Sequence, residues 1–173
     1  MSKKVILYIG CSLDGYIARK DHDISWLFND QDYGWNEFNN EFGSAVMGRK
    51  TYEFALQYSN PPFKGKKNFV ITSQRELYLS STDELIFCSY DDVINYLLTD
   101  SKDEDIFLVG GTGLISNFFN SNLIDEIIIS LHPIILGEGI ALFEGIKHEM
   151  KLELVEHSVY TSGLVKLKYK VIK

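Results

Sequence analysis

Cysteine is scarce in this chain: Cys11 and Cys88 are the two in 173 residues. They stand far apart and in no metal-ligand spacing. That excludes a disulfide-stapled scaffold and a cysteine zinc site, and leaves two thiols as core fillers in a reducing compartment. Long apolar runs are missing too. None approaches the about 20 residues that a membrane span needs. The apolar run of MSKKVILYIG ends too soon, in Asp14 and Gly15, to serve as the core of a signal peptide. Positive charge is in deficit, with 17 Lys and Arg against 24 Asp and Glu and a net charge of −7. That balance argues against nucleic acid or an anionic membrane surface as a partner. His22, His132, His148 and His157 share no metal-ligand spacing, so they read as surface or satisfied core residues and no metal is assigned.

What is present is the composition of a packed globular protein, 45% hydrophobic and 24% charged. No repeat, low-complexity tract or linker divides it, so residues 1–173 read as a single cytosolic domain. Short apolar runs at Val5 to Ile9, Ala45 to Met47, Asn68 to Ile71, Leu85 to Cys88 and Ile106 to Val109 predict buried strands. Between them, Tyr33 to Phe42 places Trp35, Phe38 and Phe42 on one helical face. Thr51 to Tyr58, Asp91 to Leu98 and Gly113 to Asn120 are further helices, the third of these four capped by Ser89 or Asp91. After Leu123 the pattern turns to strands at Glu126 to Leu131, Leu152 to Tyr160 and Leu164 to Val171, the last two joined by a Thr161-Ser162-Gly163 turn. Alternation first and a hairpin last predict an α/β fold: a mixed, mostly parallel sheet of about eight strands. The apolar strands from Glu126 to Ile135 would support either a homodimer contact or the core.

Two segments run from strand through glycine into helix. In Leu108-Val109-Gly110-Gly111-Thr112-Gly113-Leu114-Ile115, glycines permit positive φ and close ligand approach, and a helix N-terminus offers free N–H groups to an anion. The spacing is not that of the Rossmann fingerprint, and a tight packing turn is the alternative. In Val46-Met47-Gly48-Arg49-Lys50-Thr51-Tyr52-Glu53, two cations sit at a helix start, where the helix dipole disfavours them, so a bound phosphate explains them better. Val70-Ile71-Thr72-Ser73-Gln74-Arg75 ends a strand in hydroxyls and an arginine suited to a 2′-phosphate.

Taken in order, Met47-Gly48-Arg49-Lys50-Thr51, then Gly65-Lys66-Lys67-Asn68-Phe69-Val70-Ile71-Thr72-Ser73, then Val109-Gly110-Gly111 resemble the dihydrofolate reductase superfamily over nearly the whole chain. Ser12-Leu13-Asp14-Gly15-Tyr16-Ile17-Ala18 is similar to the reductase domain of the riboflavin deaminase–reductase. So is Pro133-Ile134-Ile135-Leu136-Gly137-Glu138-Gly139 followed by Leu142-Phe143. The zinc deaminase signature of that enzyme's other half is not in this sequence. The resemblance implies a dihydrofolate reductase-like three-layer fold with four flanking helices and a C-terminal antiparallel hairpin. It also implies an NADPH-dependent reductase of a small heterocyclic or ribosylaminopyrimidine-type substrate.

The resemblance further implies that Arg49, Lys50, Thr51 and Ser73, with Gly48 and Thr72 in the same turns, hold the adenosine phosphates. Gly110, Gly111, Thr112 and Gly113, flanked by Val109 and Leu114, cradle the pyrophosphate. Gly10, Ile17 and Ala18 line the nicotinamide. Trp26 corresponds to the tryptophan of the mobile active-site loop. Asp32, three residues before Trp35, falls on the acid that faces the substrate, where an apolar pocket would raise its pKa and let it supply a proton. Asp32 also precedes a helix and reads equally as its N-cap, with Asp30 as a neighbouring carboxylate. Asp14 reads mainly as a brace for its own loop and secondarily as a substrate contact. In folate enzymes an arginine grips the folate glutamate; Lys66 stands there and cannot form a bidentate fork. Asn36 replaces the aromatic under the folate benzoyl ring. Folate reduction, and a non-catalytic dimeric NADPH-binding module, are the competing readings.

Overall fold

The apolar runs separated by helices assemble side by side into one sheet. The computed structural model describes residues 3–99 and 104–173. In chain order it contains β1 (Val5–Ser12), β2 (Tyr16–Ala18), α1 (Trp35–Glu41), β3 (Phe42–Gly48), α2 (Arg49–Ala55) and β4 (Lys67–Ile71). A 3-10 segment (Arg75–Ser80), β5 (Leu85–Cys88), α3 (Tyr90–Thr99), β6 (Asp105–Gly110) and α4 (Thr112–Asn120) follow. The chain closes with β7 (Glu126–His132), β8 (Ile140–Ala141), β9 (Lys151–Val159) and β10 (Val165–Ile172).

The main sheet has the order β5-β4-β3-β6-β1-β7-β10-β9. Its first six strands pair in parallel, and β10 joins β7 and β9 antiparallel, as a terminal hairpin must. β2 and β8 form a separate two-stranded ladder whose short length leaves no periodicity to read.

Strand alternation divides the core into two layers. Leu7, Val46, Ile106 and Leu108 face α3 and α4, which contribute Val93, Ile115 and Phe118. Ile6, Ala45, Met47 and Phe107 face α1 and α2, which contribute Phe38 and Tyr52. Parallel strands covered on both faces require continuous apolar runs, and the sequence has them. Each fully buried Leu, Ile or Phe adds about 1.5–3 kcal/mol. On the α1 side, Phe107 meets the rings of Trp35, Phe38, Phe42 and Phe63 at centroid distances of 5.8, 5.1, 5.1 and 5.4 Å.

The expected helix over Tyr33 to Phe42 is shorter, and Phe42 already has the extended conformation that opens β3 (φ −101°, ψ 146°). The helix expected from Thr51 begins at Arg49, so both cations lie inside its first turn. At α3, Ser89 is the cap and Asp92, rather than Asp91, completes it: the Asp92 carboxylate accepts from the Ser89 N–H and hydroxyl at 2.9 and 2.6 Å. Cys11 and Cys88 are buried free thiols, pushed up by burial to about 11 and about 12. Among the described residues, no helix is long and apolar enough to cross a membrane.

Candidate functional site

Three of the expected turns meet at the carboxyl ends of adjacent parallel strands. Gly48 pairs with Ile71 and Met47 with Gly110, so the turns after β4, β3 and β6 lie side by side. In open α/β sheets this edge is where ligands bind. Gly110 has φ 130°, a conformation that excludes a side chain. The Gly111 N–H donates to the Thr51 hydroxyl at 3.1 Å, joining the two strand–glycine–helix turns directly.

Beyond that joint, the Leu114 and Ile115 N–H groups return to the Gly111 carbonyl at 2.9 and 3.0 Å. Thr112 and Gly113 occupy the start of α4, where a helix leaves its N–H groups without intrahelical partners. A Cβ on Gly113 would meet nothing within 4 Å, so this end of the helix is open. The Thr112 hydroxyl donates to the Ala141 carbonyl at 3.1 Å, which anchors β8 beside it. Val109 and Leu114 pack into opposite core layers on either side of the turn.

The cations and hydroxyls divide into two kinds. Arg49 pairs with Glu53 one helical turn on. Lys50 and Ser73 are exposed. Thr72 is buried; its hydroxyl accepts the Gln74 N–H and its carbonyl accepts the Tyr78 hydroxyl, both at 3.1 Å. Thr51 and Thr72 therefore hold the turns in shape, while Arg49, Lys50 and Ser73 present polar groups to solvent.

At β1 and β7 the chain builds the neighbouring wall. The Asp14 carboxylate accepts from the Ser12 hydroxyl at 2.6 Å and from the Leu136 and Gly137 N–H groups at 3.1 and 2.7 Å. These bonds, the Ser12 hydroxyl first, hold its pKa below the ordinary carboxylate value. Asp14 thus ties the two loops that flank the β2–β8 ladder. Ile17 packs on the α3/α4 side of the core and Ala18 is buried. Gly10 faces Leu27 and His132.

The segment between β2 and α1 carries Trp26 and Asp32. Trp26 is 8% exposed, and its buried indole N–H has no acceptor among the described residues. Trp26, Phe28, Asn29, Asp30 and Ser162 line an open cleft of about 470 Å³. Asp32 is solvent-exposed, not enclosed in an apolar pocket, and its carboxylate accepts the Asn36 N–H at 3.0 Å in the first turn of α1. Its charge acts on Tyr8, a phenol whose pKa burial raises and which Ser130 and Lys166 also neighbour. No local motif marks Tyr8, Ser130 or His132 as site residues. Their alternation on β1 and β7 is the one trace, since all three face the α1 side of the sheet.

Residues 3–166 match the model of the RibD C-terminal domain. The chain belongs to the RibD C-terminal domain family. Two Bacillus subtilis (strain 168) proteins, both uncharacterized, are similar to it. YyaP is 30% identical over 178 residues, covering 96% of this chain and 94% of YyaP. YwjB is 34% identical over 161 residues, covering 89% and 90%. Among solved structures, a Shewanella sp. PV-4 protein named for riboflavin biosynthesis matches with a TM-score of 0.84 and 27% identity over 98% of this chain and 99% of its own. Dihydrofolate reductase from Enterococcus faecalis, complexed with NADP(H), matches with a TM-score of 0.71 and 14% identity over 98% and 97%, a likeness of fold. The RibD C-terminal fold expected from the motifs is therefore the fold of this chain. Against RibD of Acinetobacter baumannii, the chain spans 58% of that protein's length.

Proposed function

We propose that this chain is an NADPH-dependent reductase of a small heterocyclic or ribosylaminopyrimidine-type substrate, working in the cytosol. The observation that carries the reading is the joint between Gly111 and Thr51, which sets two glycine turns and the open start of α4 together at one edge of the sheet. The residues fit a dinucleotide phosphate. Gly110 to Gly113, between Val109 and Leu114, offer backbone N–H groups to a pyrophosphate. Arg49, Lys50 and Ser73 reach from the adjoining turns shaped by Gly48, Thr51 and Thr72. Gly10, Ile17 and Ala18 line the ring end. NADPH, when bound, supplies a hydride from nicotinamide C4.

The substrate side is formed by the wall that Asp14 braces and by the cleft at Trp26. The unpartnered Trp26 N–H is a buried donor that a polar substrate atom would satisfy. Asp32 supplies the proton that must accompany hydride transfer. What supports that role is its place three residues before Trp35, on the segment that runs from the Trp26 cleft into α1.

Folate is disfavoured on specific grounds. The Lys66 ammonium donates to the Phe42 carbonyl and lies 4.2 Å from the centre of the Phe42 ring, so it is already engaged. Asn36 is an exposed polar residue where a flat apolar contact is needed. The reading includes a homodimer, for which the sheet-edge strand β9 offers exposed Leu154, Val155 and Val159.

The deciding experiment follows reduced-nicotinamide absorbance with the ribosylaminopyrimidine phosphate, dihydrofolate and simple pterins. Consumption of NADPH with the first and none with dihydrofolate is expected. NADPH binding without turnover on any of the three would leave a non-catalytic module in its place.

A further inference from the structure

His132 ends β7 on the sheet face that carries Gly10 and Ser130, and it is 3% exposed. Its Nδ1 lies 2.9 Å from the Ser130 carbonyl, and its Nε2 receives the Phe28 N–H at 3.1 Å. A carbonyl only accepts and a backbone N–H only donates, so the partners define a neutral imidazole protonated at Nδ1. Trp26 and Phe28 set their rings against the imidazole at 5.3 and 5.1 Å. A Cβ on Gly10 would lie 2.8 Å from Leu27 Cδ2 and 3.3 Å from His132 Cε1, so the missing side chain makes room for both.

We propose that His132 is the positioning residue that clamps the 26–28 segment onto the ends of β1 and β7 while its imidazole is neutral, and that a proton on Nε2 releases it. Protonation would aim a new N–H at the Phe28 N–H, exchanging a hydrogen bond for two opposed donors. Because Trp26 belongs to this segment and lines the cleft beside it, release of the clamp would open that cleft. That consequence rests on the reductase reading; the clamp itself does not.

Burial holds the His132 pKa below the ordinary 6.5, against the pull of the Ser130 and Cys11 carbonyls. The titratable groups on the surrounding elements do not compete for the ring. The Cys11 thiol of β1 packs into the opposite core layer. Asp14 is engaged with Ser12, Leu136 and Gly137. Asp30, two residues beyond Phe28, accepts the Tyr33 hydroxyl at 2.7 Å. Among the described residues, no charged side chain is a hydrogen-bond or ring partner of His132. A lowered histidine pKa means that protons bind the released state more readily. The clamp is therefore complete above pH 6.5 and weakens as pH falls below it.

The test is amide hydrogen exchange of the full chain between pH 7.5 and 4.5, corrected for intrinsic rates, with no cofactor or substrate added. Protection at Phe28 should fall by up to about tenfold for each pH unit below 6.5, while β1 and β7 stay protected. H132Q keeps an acceptor without a titrating ring, and its Phe28 protection should be level across the range. Trp26 emission in a W35F background should shift over the same pH interval and lose that shift in H132Q. Should H132Q not fold, imidazole 15N shifts of the natural chain decide, with a neutral Nδ1–H ring above pH 6.5 expected. The clamp is overturned by protection at Phe28 that ignores pH, by a shift that persists in H132Q, by an Nε2–H tautomer, or by loss of β1 and β7 protection in the same step. Failure to bind NADPH at pH 7.5 would instead remove the reductase reading and leave the clamp standing.

Discussion

The Gly111 N–H and the Thr51 hydroxyl are 60 residues apart in sequence and 3.1 Å apart in space. Through them the first turn of α2 holds the glycine turn after β6 in shape. T51V keeps the volume and removes the acceptor, leaving a part-buried N–H unpaired. The expected loss is about 1–3 kcal/mol, read as a lower Tm. NADPH affinity should fall by about tenfold or more, read by fluorescence titration. Retention of both would mean that the two turns are held by strand pairing alone.

On the proposed cofactor assignment, Arg49 is the residue that would separate NADPH from NADH. R49A forfeits only about 0.3–0.5 kcal/mol of helix pairing with Glu53 but removes the proposed charged contact to a 2′-phosphate. NADPH binding should therefore weaken at least about tenfold while NADH binding holds. E53Q frees the guanidinium and should leave NADPH binding intact or tighter. Equal losses for the two nucleotides in R49A would move the 2′-phosphate elsewhere.

Asp32 holds the first turn of α1 and is the proposed proton donor, and substitution can separate the two. An amide oxygen still accepts the Asn36 N–H, so D32N should keep its Tm. It cannot supply a proton, so kcat should fall about 10²-fold or more. D32A should lose the helix bond as well, about 1 kcal/mol. Full turnover in D32N would leave Asp32 as a cap.

Glu126 sets an acid limit on stability. Burial alone would raise its pKa, but Lys4 at 2.6 Å and Lys168 at 3.1 Å outweigh that, and the net shift is downward from 4.5. A carboxyl with a lowered pKa stabilises the fold above its unfolded value and loses that contribution as pH falls through the folded one. The chain should lose stability below pH 4.5, and E126Q should flatten that part of a Tm-against-pH curve while being less stable at pH 7. An unchanged acid limb in E126Q would assign it to other carboxylates.

Much of this fold is visible in sequence because parallel strands need unbroken apolar runs. Leu85–Cys88 has the same limits in both readings, and Trp35, Phe38 and Phe42 do share one aromatic cluster. Phe42 misled on its secondary structure, since its side chain satisfies the helical period while its backbone already opens β3. The site is less visible. The glycine turns announce themselves through residue type, but their contact through Thr51 depends on which strands pair. His132 shows only in the alternation of β7, because its partner is a backbone N–H 104 positions away.

The strand order carries a consequence for how this molecule could be altered. The proposed phosphate-binding turns follow β4, β3 and β6, whereas Trp26, Asp14 and His132 gather around β1 and β7. The two groups meet along the β6–β1 seam, where the Thr112 hydroxyl reaches the Ala141 carbonyl of β8. Loops 19–33 and 133–139 could thus be exchanged for those of a relative with a different substrate preference, leaving the joint between Gly111 and Thr51 untouched. A chimera of that kind would inherit its cofactor from one parent and its chemistry from the other.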